Sequence, residues 1–149
     1  MVDSAAVSNP AGLTEAATYL HDILLVLQKR QSGSKSSKGP TAVPVLIAAN
    51  KLDLFTALPA QLVKRALEEE ITKIRATRAK GLLDSGIGME EDDRDEEGEW
   101  LGQGGEGAFD FKQMEESEIE VRVCGGNVMG EREDEGRTDE WWAWIGENM

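Results

Sequence analysis

At residues 43–53 the chain runs Val43-Pro44-Val45-Leu46-Ile47-Ala48-Ala49-Asn50-Lys51-Leu52-Asp53, an apolar segment that ends abruptly in polar side chains. A short apolar run that is rich in β-branched residues and bounded by turn signals is typical of a buried strand in a parallel sheet. In open α/β sheets, ligands bind beyond the carboxyl ends of the strands. The sequence therefore places Asn50, Lys51 and Asp53 at a ligand-binding edge.

The polar side chains after this strand suit a guanine base. An ionised Asp53 offers two acceptor oxygens, which match the ring N–H and the exocyclic amine of guanine in a charge-assisted bidentate pair. Adenine lacks this pair of donors, so such a site discriminates against it. Lys51 can lay its methylene stem along the base with its ammonium in water, and Asn50 can bridge the base to neighbouring loops. The simpler alternative is a polar turn in which Asp53 begins a helix cap.

Composition and charge restrict the class of protein. The 149 residues fit one domain, and the one cysteine, Cys124, permits no internal disulfide and fits a reducing compartment. The net charge of −13 comes mostly from acidic residues after Asp84, which argues against nucleic acid as a partner. The sequence has no bilayer-length apolar stretch and Met1 begins no secretory signal, so we expect this chain alone to be soluble and cytosolic.

Helices and strands are predicted to alternate around the central strand. Residues 1–6 look like the end of a strand, and Pro10 begins an amphipathic helix that ends near residue 30. Leu58 precedes a second amphipathic helix, and the alternating residues 119–123 predict a second, less buried strand. Thr138 is the expected cap of a terminal helix whose tryptophans pack on the sheet, with a membrane-interface belt as the alternative (Trp141, Trp142, Trp144).

Two polar features of these helices have plain explanations. No cysteine or second histidine accompanies His21, so we expect it at the surface or rim of the first helix and not as a ligand or base. The basic end of the second helix is expected to be solvated, with contact to acidic lipid or a partner as the alternative (Lys73, Arg75, Arg78, Lys80).

Two segments interrupt the pattern. Residues 31–42 are rich in Ser, Gly and Lys and predict a flexible linker loop. Residues 84–118 are acidic and then glycine-rich, so we predict a disordered, mobile insertion that buries too little apolar surface to become ordered. Its acids lack the spacing of a calcium loop, so no metal site is expected. Trp100-Leu101 and Phe109-Asp110-Phe111 are exceptions that either dock the insertion on the domain or form a short partner motif.

The second predicted strand ends in a glycine turn, Cys124-Gly125-Gly126-Asn127, at the same edge of the sheet as Asn50. Backbone N–H groups in such a turn can bond the carbonyl oxygen of guanine, and glycine lets the backbone approach closely. Alternatively, the glycines only turn the chain and Cys124 is a small apolar filler.

The order of these elements resembles the carboxyl-terminal half of a Ras-like P-loop GTPase, an α/β fold with a largely parallel sheet flanked by helices, over residues 1–149. Four stretches make the chain similar to the beta-subunit family of the signal recognition particle receptor: residues 12–17, 49–55, 81–84 and 141–145. By this resemblance Asn50, Lys51 and Asp53 match the guanine-recognition motif. Cys124 and Gly125 fall in the last base-contacting loop, where serine and alanine are common.

The resemblance implies a GTP-binding subunit, with Mg in the complete protein, that is anchored in the endoplasmic reticulum membrane by an amino-terminal helix. It holds the receptor alpha subunit there during cotranslational protein targeting. The 149 residues contain no Gly-x-x-x-x-Gly-Lys-Ser/Thr pattern. We therefore expect a part that keeps the guanine contacts but lacks the phosphate loop, switches and anchor, with no catalytic residue, negligible GTP affinity and no hydrolysis alone. The alternative is a non-enzymatic acidic adaptor with a GTPase-derived fold.

Overall fold

The computed structural model describes residues 1–33, 42–85, 100–102, 107–129 and 136–149, with the side chains of residues 82–85 left aside. Three strands are present in these ranges: β1 (Val2–Asp3), β2 (Val43–Asn50) and β3 (Ile119–Gly125). Three α-helices accompany them: α1 (Pro10–Gly33), α2 (Ala60–Ser85) and α3 (Asp139–Glu147). Short 3-10 helices span Ala6–Ser8 and Phe111–Ser117. No helix in these ranges combines the length and apolarity needed to cross a bilayer.

The strands form one parallel sheet in the order β1-β2-β3. β2 and β3 pair from Val43 opposite Ile119 to Ala49 opposite Gly125. β1 pairs only with the end of β2, where Val2 lies opposite Ala49. Because all three strands run the same way, their carboxyl ends meet at one edge. The predicted α/β fold with a parallel sheet flanked by helices is confirmed.

The two faces of the sheet are covered unequally. On one face, Ile47 and Ala49 of β2 lie under the apolar stripes of the two long helices, which recur at three- and four-residue steps (Ala17, Leu20 and Leu24 of α1; Val63, Leu67 and Ile71 of α2). Successive side chains of a strand point to opposite faces. Ala48 and Cys124 therefore face the other side, where Trp141 of α3 packs on them.

The segment before β3 belongs to the interior. Leu101, Phe109, Phe111 and Met114 are all buried in the same core as α1 and α2. Phe109 and Phe111 meet edge to face, with ring centroids 5.5 Å apart. The expectation that the apolar residues of this region dock on the domain is therefore correct for these side chains.

The boundaries of the two irregular segments differ from the prediction. α2 continues to Ser85, and Trp100–Gly102 and Gly107–Glu118 pack on the domain, so the insertion predicted over 84–118 does not include them. A few large apolar side chains bury enough surface to offset the entropy of ordering a short segment. α1 likewise includes residues 31–33 of the predicted linker. The rest of both predicted segments, 34–41, 86–99 and 103–106, lies outside the described residues.

Two polar side chains that the sequence predicts at the surface are buried. His21 is 2% exposed and Arg75 is 1% exposed. Arg75 extends the Val63–Leu67–Ile71 stripe by one more four-residue step, so it points into the core, and its guanidinium carbon lies 5.5 Å from the centre of the Phe109 ring. His21 lies between α1 and α2, with Arg78 Nη1 3.2 Å from its Nδ1. The burial of His21 comes from the packing of α2 against α1, which the pattern of one helix does not record. Arg75 lies on the apolar stripe of its own helix, and a distant segment brings the Phe109 ring to its guanidinium.

Candidate nucleotide-binding site

The turns that follow β2 and β3 are tied together by backbone hydrogen bonds. The N–H of Gly126 donates to the carbonyl of Ala49 at 2.9 Å, and the N–H of Leu52 donates to the carbonyl of Gly126 at 3.2 Å. Both bonds lie at the carboxyl edge of the sheet, which is the ligand edge in folds of this class. The two sequence segments that were predicted to share a site are therefore held against each other.

Asn50 connects three parts of the chain at this edge. Its Oδ1 accepts a hydrogen bond from the N–H of Val128 at 3.0 Å, and its backbone carbonyl accepts one from the N–H of Ser4 at 3.0 Å. The sequence predicted that Asn50 bridges the base to neighbouring loops. In the structure its side chain links the turn after β2 to the turn after β3.

Lys51 has a left-handed backbone, with φ at 65°, and an exposed side chain. Its Nζ donates to Asp3 Oδ2 at 2.6 Å. The sequence predicted the Lys51 ammonium in water. In the structure this exposed ammonium also forms an ion pair with Asp3, which the sequence did not predict. The hydrogen bond from Lys51 holds the pKa of the Asp3 carboxyl below its usual value, assisted by the backbone amides of Ala5 and Ala6 and opposed by partial burial.

Asp53 lies in the turn that leads from β2 towards α2. This turn is closed by the N–H of Leu54, which donates to the carbonyl of Lys51 at 3.1 Å. The Asp53 side chain is exposed, and within the described residues its carboxylate has no hydrogen bond and no ion pair. Both of its oxygens therefore remain available as acceptors at the edge where the two turns meet.

Cys124 is turned away from this edge. Its side chain packs with Ala48 and Trp141, and its carbonyl accepts a hydrogen bond from Trp141 Nε1 at 3.1 Å. Burial raises the pKa of the thiol, and the negative charge of Glu140 acts in the same direction. The thiol therefore packs between the sheet and α3, as the small apolar filler that the sequence offered as one alternative.

Gly125 and Gly126 are glycines because other groups approach them closely. A Cβ on Gly125 would clash with Leu52 Cδ1, and a Cβ on Gly126 would clash with the carbonyl oxygen of Arg137 and lie 2.9 Å from the Trp141 ring. At Gly126 the neighbours are a backbone oxygen and a packed ring, so no side chain fits there. At Gly125 the nearest atom is the flexible end of the Leu52 side chain, which would have to turn aside. Because these two residues have no side chain, the glycine turn packs closely against the turn after β2 and against the start of α3.

Most amides of the glycine turn are already used inside the protein. The N–H of Gly126 bonds to Ala49, that of Asn127 to the carbonyl of Arg137 at 3.0 Å, and that of Val128 to Asn50. The sequence predicted that amides of this turn face a ligand, and these three do not. The N–H of Gly125 alternates with that of Gly126 along the chain and therefore points away from β2.

Sequence reasoning missed the contribution of the first strand. β1 ends at Asp3, at the same edge as Asn50. Asp3 contacts Lys51 in the turn after β2, and the next residue, Ser4, donates its N–H to the carbonyl of Asn50 at the end of β2. The rule that parallel strands bring their carboxyl ends together could have identified Asp3, since residues 1–6 were predicted as the end of a strand. The described residues contain no group of three or more His, Cys, Asp or Glu side chains that could hold a metal ion.

Comparison with known proteins gives a consistent result. The family model described as the signal recognition particle receptor beta subunit matches residues 1–119. The signal recognition particle receptor subunit beta of Saccharomyces cerevisiae is 32% identical over 149 residues, which are 100% of this chain and 53% of that protein. The chain therefore spans about half the length of this curated relative.

Solved structures agree with the family model. The signal recognition particle receptor SRb with GDP and Mg from Chaetomium thermophilum is 48% identical with a TM-score of 0.78, and covers 99% of this chain and 59% of that one. SRb in the SRb-GTP/SRX complex from the same organism is 45% identical, also with a TM-score of 0.78. The match covers 99% of this chain and 47% of that one. The parallel sheet and its flanking helices thus match the small-GTPase-like fold of these proteins. With more than half of its length matched by the family model, the chain belongs to the signal recognition particle receptor beta subunit family.

Proposed function

We propose that this chain is the guanine-recognition part of a GTP-binding subunit of the signal recognition particle receptor. The observation that carries the proposal is the Asp53 carboxylate, which is exposed and has no hydrogen bond or ion pair within the described residues. It lies on a turn that backbone hydrogen bonds tie to the glycine turn. A carboxylate held in this way presents two acceptors at a fixed spacing. Guanine presents two donors at the same spacing, in its ring N–H and its exocyclic amine.

The proposed base site uses each residue for a separate task. Asp53 accepts the two donors of the base, and Lys51 covers one face of it with its methylene stem. Asn50 fixes the distance between the two turns through Val128. The amides of Gly126, Asn127 and Val128 are committed within the protein, so in this proposal they do not contact the guanine carbonyl. Gly125 keeps the place in the base-contacting loop that the family resemblance implies. Cys124 acts through the packing that supports this turn.

The solved relatives support guanine nucleotide as the ligand class, because the Chaetomium thermophilum proteins carry GDP with Mg or GTP. The residues of this chain fit the base. They include neither a Gly-x-x-x-x-Gly-Lys-Ser/Thr pattern nor, among the described residues, a metal-ligating cluster. We therefore propose that these 149 residues supply base recognition and neither bind GTP tightly nor hydrolyse it by themselves.

The cellular role that we propose follows the family. The complete subunit acts at the cytosolic face of the endoplasmic reticulum membrane, where it is anchored and holds the receptor alpha subunit for cotranslational protein targeting. A relative from Chaetomium thermophilum has a solved structure as an SRb-GTP/SRX complex. This supports the proposal that the GTP-bound subunit binds another part of the receptor. Membrane attachment belongs, in this proposal, to the complete subunit.

Titration of the 149-residue chain with GDP and ADP, followed by the backbone amide NMR signals of Leu52, Gly126 and Val128, tests the base site. NMR detects millimolar binding, which is what base contacts without phosphate contacts provide. We expect GDP to shift these signals at concentrations where ADP does not. Asp53→Asn should weaken GDP binding about 10- to 100-fold, the usual loss for a hydrogen bond to a charged group. Asp110→Asn is the matched control, because this carboxylate accepts a hydrogen bond from the N–H of Lys112, away from the proposed site. It should bind GDP as the native chain does.

The same experiment separates the adaptor alternative. If GDP leaves the signals of the native chain unchanged while Asp53→Ala unfolds the domain, Asp53 has a structural role and the guanine proposal is wrong. If GDP and ADP shift the signals equally, the site does not recognise the base.

A further inference from the structure

Two opposite charges lie two residues apart in the turn after β2, yet they do not pair. The ammonium of Lys51 lies 2.6 Å from Asp3 Oδ2, in the neighbouring strand, and the carboxylate of Asp53 has no ion pair within the described residues. A lysine and an aspartate this close in one exposed turn can reach each other. The choice of Asp3 over Asp53 therefore needs a physical cause.

The cause is the way Asp3 is fixed. Its Oδ1 accepts hydrogen bonds from the N–H groups of Ala5 at 3.0 Å and Ala6 at 3.1 Å, which leaves Oδ2 aimed at Lys51. The next residue, Ser4, donates its N–H to the carbonyl of Asn50, so the end of β1 is bound to the end of β2. The left-handed backbone of Lys51 completes the arrangement, because it sets the direction in which that side chain leaves the turn.

We propose that Asp3 is a positioning residue of the guanine site: it holds the Lys51 ammonium and thereby keeps the Asp53 carboxylate free for the base. This inference rests on the proposed function. A lysine paired with Asp53 would occupy the acceptor oxygens that guanine requires, and a nucleotide would have to displace it. Asp3 removes that competition before the ligand arrives.

Asp3 acts through charge, and its effect should appear in ligand binding more than in folding. Exposed ion pairs contribute little to stability, and both side chains here are at least one-third exposed. Placing a cation where it does not compete with the ligand is preorganisation, which raises affinity without adding a contact.

Asp3→Asn is the sharpest test, because its Oδ1 can still accept from Ala5 and Ala6 while the charge facing Lys51 is lost. In the GDP titration of the 149-residue chain, we expect affinity to fall about two- to fivefold, the scale of a lost exposed ion pair. The urea midpoint should stay close to that of the native chain. Should Asp3→Asn fail to fold, Asp3→Ser replaces it, since its hydroxyl can accept from the same amides.

A second variant separates positioning from simple structural damage. In a Lys51→Met background there is no ammonium to hold, so adding Asp3→Asn should change GDP affinity no further. Additive losses would contradict the inference, as would equal GDP affinity in the native chain and Asp3→Asn. A native chain that gives no response to GDP contradicts the proposed function and this inference together, whereas a native response that survives Asp3→Asn contradicts this inference alone.

Discussion

The nucleotide edge (residues 50–55 and 124–128) and the helix-pair core (α1, α2 and the segments 100–102 and 107–117) are built in opposite ways. At the nucleotide edge the main chain makes most connections, through the bonds between Ala49, Leu52 and Gly126, and the side chains of Lys51 and Asp53 point outward. In the helix-pair core, side chains make the connections, and even His21 and Arg75 are buried. In the proposed site the Asp53 carboxylate has to stay free for the base, so the position of its turn is set mainly by backbone hydrogen bonds.

In the helix-pair core, helix side chains form hydrogen bonds with backbone groups of a segment that has no neighbouring strand to pair with. Gln28 of α1 donates to the carbonyl of Trp100 at 2.8 Å and accepts from the N–H of Gly102 at 2.9 Å. On α2, Thr72 Oγ1 accepts from the N–H of Phe109 and Glu68 Oε1 accepts from the N–H of Phe111. Backbone groups of an irregular segment need partners when they are buried. The two long helices supply those partners from their side chains.

The largest expected effect tests whether the segment before β3 is part of the core. Phe111→Ala should lower the free energy of unfolding by about 3–5 kcal/mol, since it removes a buried ring and leaves a cavity. Urea denaturation measures the change. Phe55→Ala is the matched control at the nucleotide edge, where the ring is 105% exposed, and should shift stability by less than about 0.5 kcal/mol. Equal losses in the two variants would erase the contrast between the regions.

The next effect tests whether the backbone sets the nucleotide edge. Gly126→Ala would place a Cβ against the Arg137 carbonyl and the Trp141 ring, so we expect a loss of about 1–3 kcal/mol from overpacking. The amide NMR signals of Leu52 and Val128 should move with it. Gly146→Ala, where a Cβ meets nothing within 4 Å in α3, should instead stabilise the protein by up to about 1 kcal/mol. Unchanged signals in Gly126→Ala would show that the glycine turn is not held as described.

An effect of similar size tests the side-chain connections of the helix-pair core. Gln28→Ala removes both hydrogen bonds to residues 100–102 and should cost about 1–3 kcal/mol, because two backbone groups lose their partner. Hydrogen exchange at the Gly102 amide should become faster. Gln61→Ala, at an exposed position of α2, is the control and should change neither quantity. The GDP response should be the same in both variants if the two regions are independent.

The smallest effect is a pH dependence that belongs to the helix-pair core alone. Burial lowers the pKa of His21, and the positive charge of Arg78 acts in the same direction, while Asp22 partly offsets both. His21 Nδ1 lies 3.2 Å from both Arg78 Nη1 and Asp22 Oδ1, so the guanidinium opposes a proton on the ring and the carboxylate favours one. Burial is the largest influence, and it makes the folded state favour the neutral ring. The unfolded chain, with a histidine pKa near 6.5 (about the ordinary value), then binds protons more readily than the folded chain. Stability is therefore complete above this value and falls as pH decreases towards the lower folded pKa.

Urea midpoints measured from pH 7.5 to pH 5 test this dependence. The native chain should lose stability across the window, and His21→Gln should show a flatter profile. Asp3 and Asp22, whose carboxyl pKa values are lowered, lose their contribution only at more acidic pH, as pH falls through those lowered values. A native profile as flat as that of His21→Gln would show that the burial of His21 has no energetic consequence.

The position of the polar residues after β2 at one edge of the sheet was predictable from the sequence because its signals are local. The apolar run of β2 ends at Asn50, and parallel strands bring their ends to one edge, so Asn50, Lys51 and Asp53 could be assigned to the same site as the glycine turn. The pairing of Lys51 with Asp3 was not predicted. It depends on the register of β1 against β2, which two residues of strand cannot specify in a sequence.

The sequence by itself determined the order of the helices and strands, the parallel sheet and the polar edge, because hydrophobic period and turn residues are properties of neighbouring positions. Only the tertiary structure decided that Phe111 and Met114 belong to the core, that His21 and Arg75 are buried, and that Asp3 holds Lys51. Each of these depends on what a distant segment brings to a residue. In an acidic, glycine-rich stretch the average composition does not show which few apolar residues pack in the core. The pairing of Lys51 with Asp3 depends on the distance that the packing of β1 against β2 sets between the two side chains.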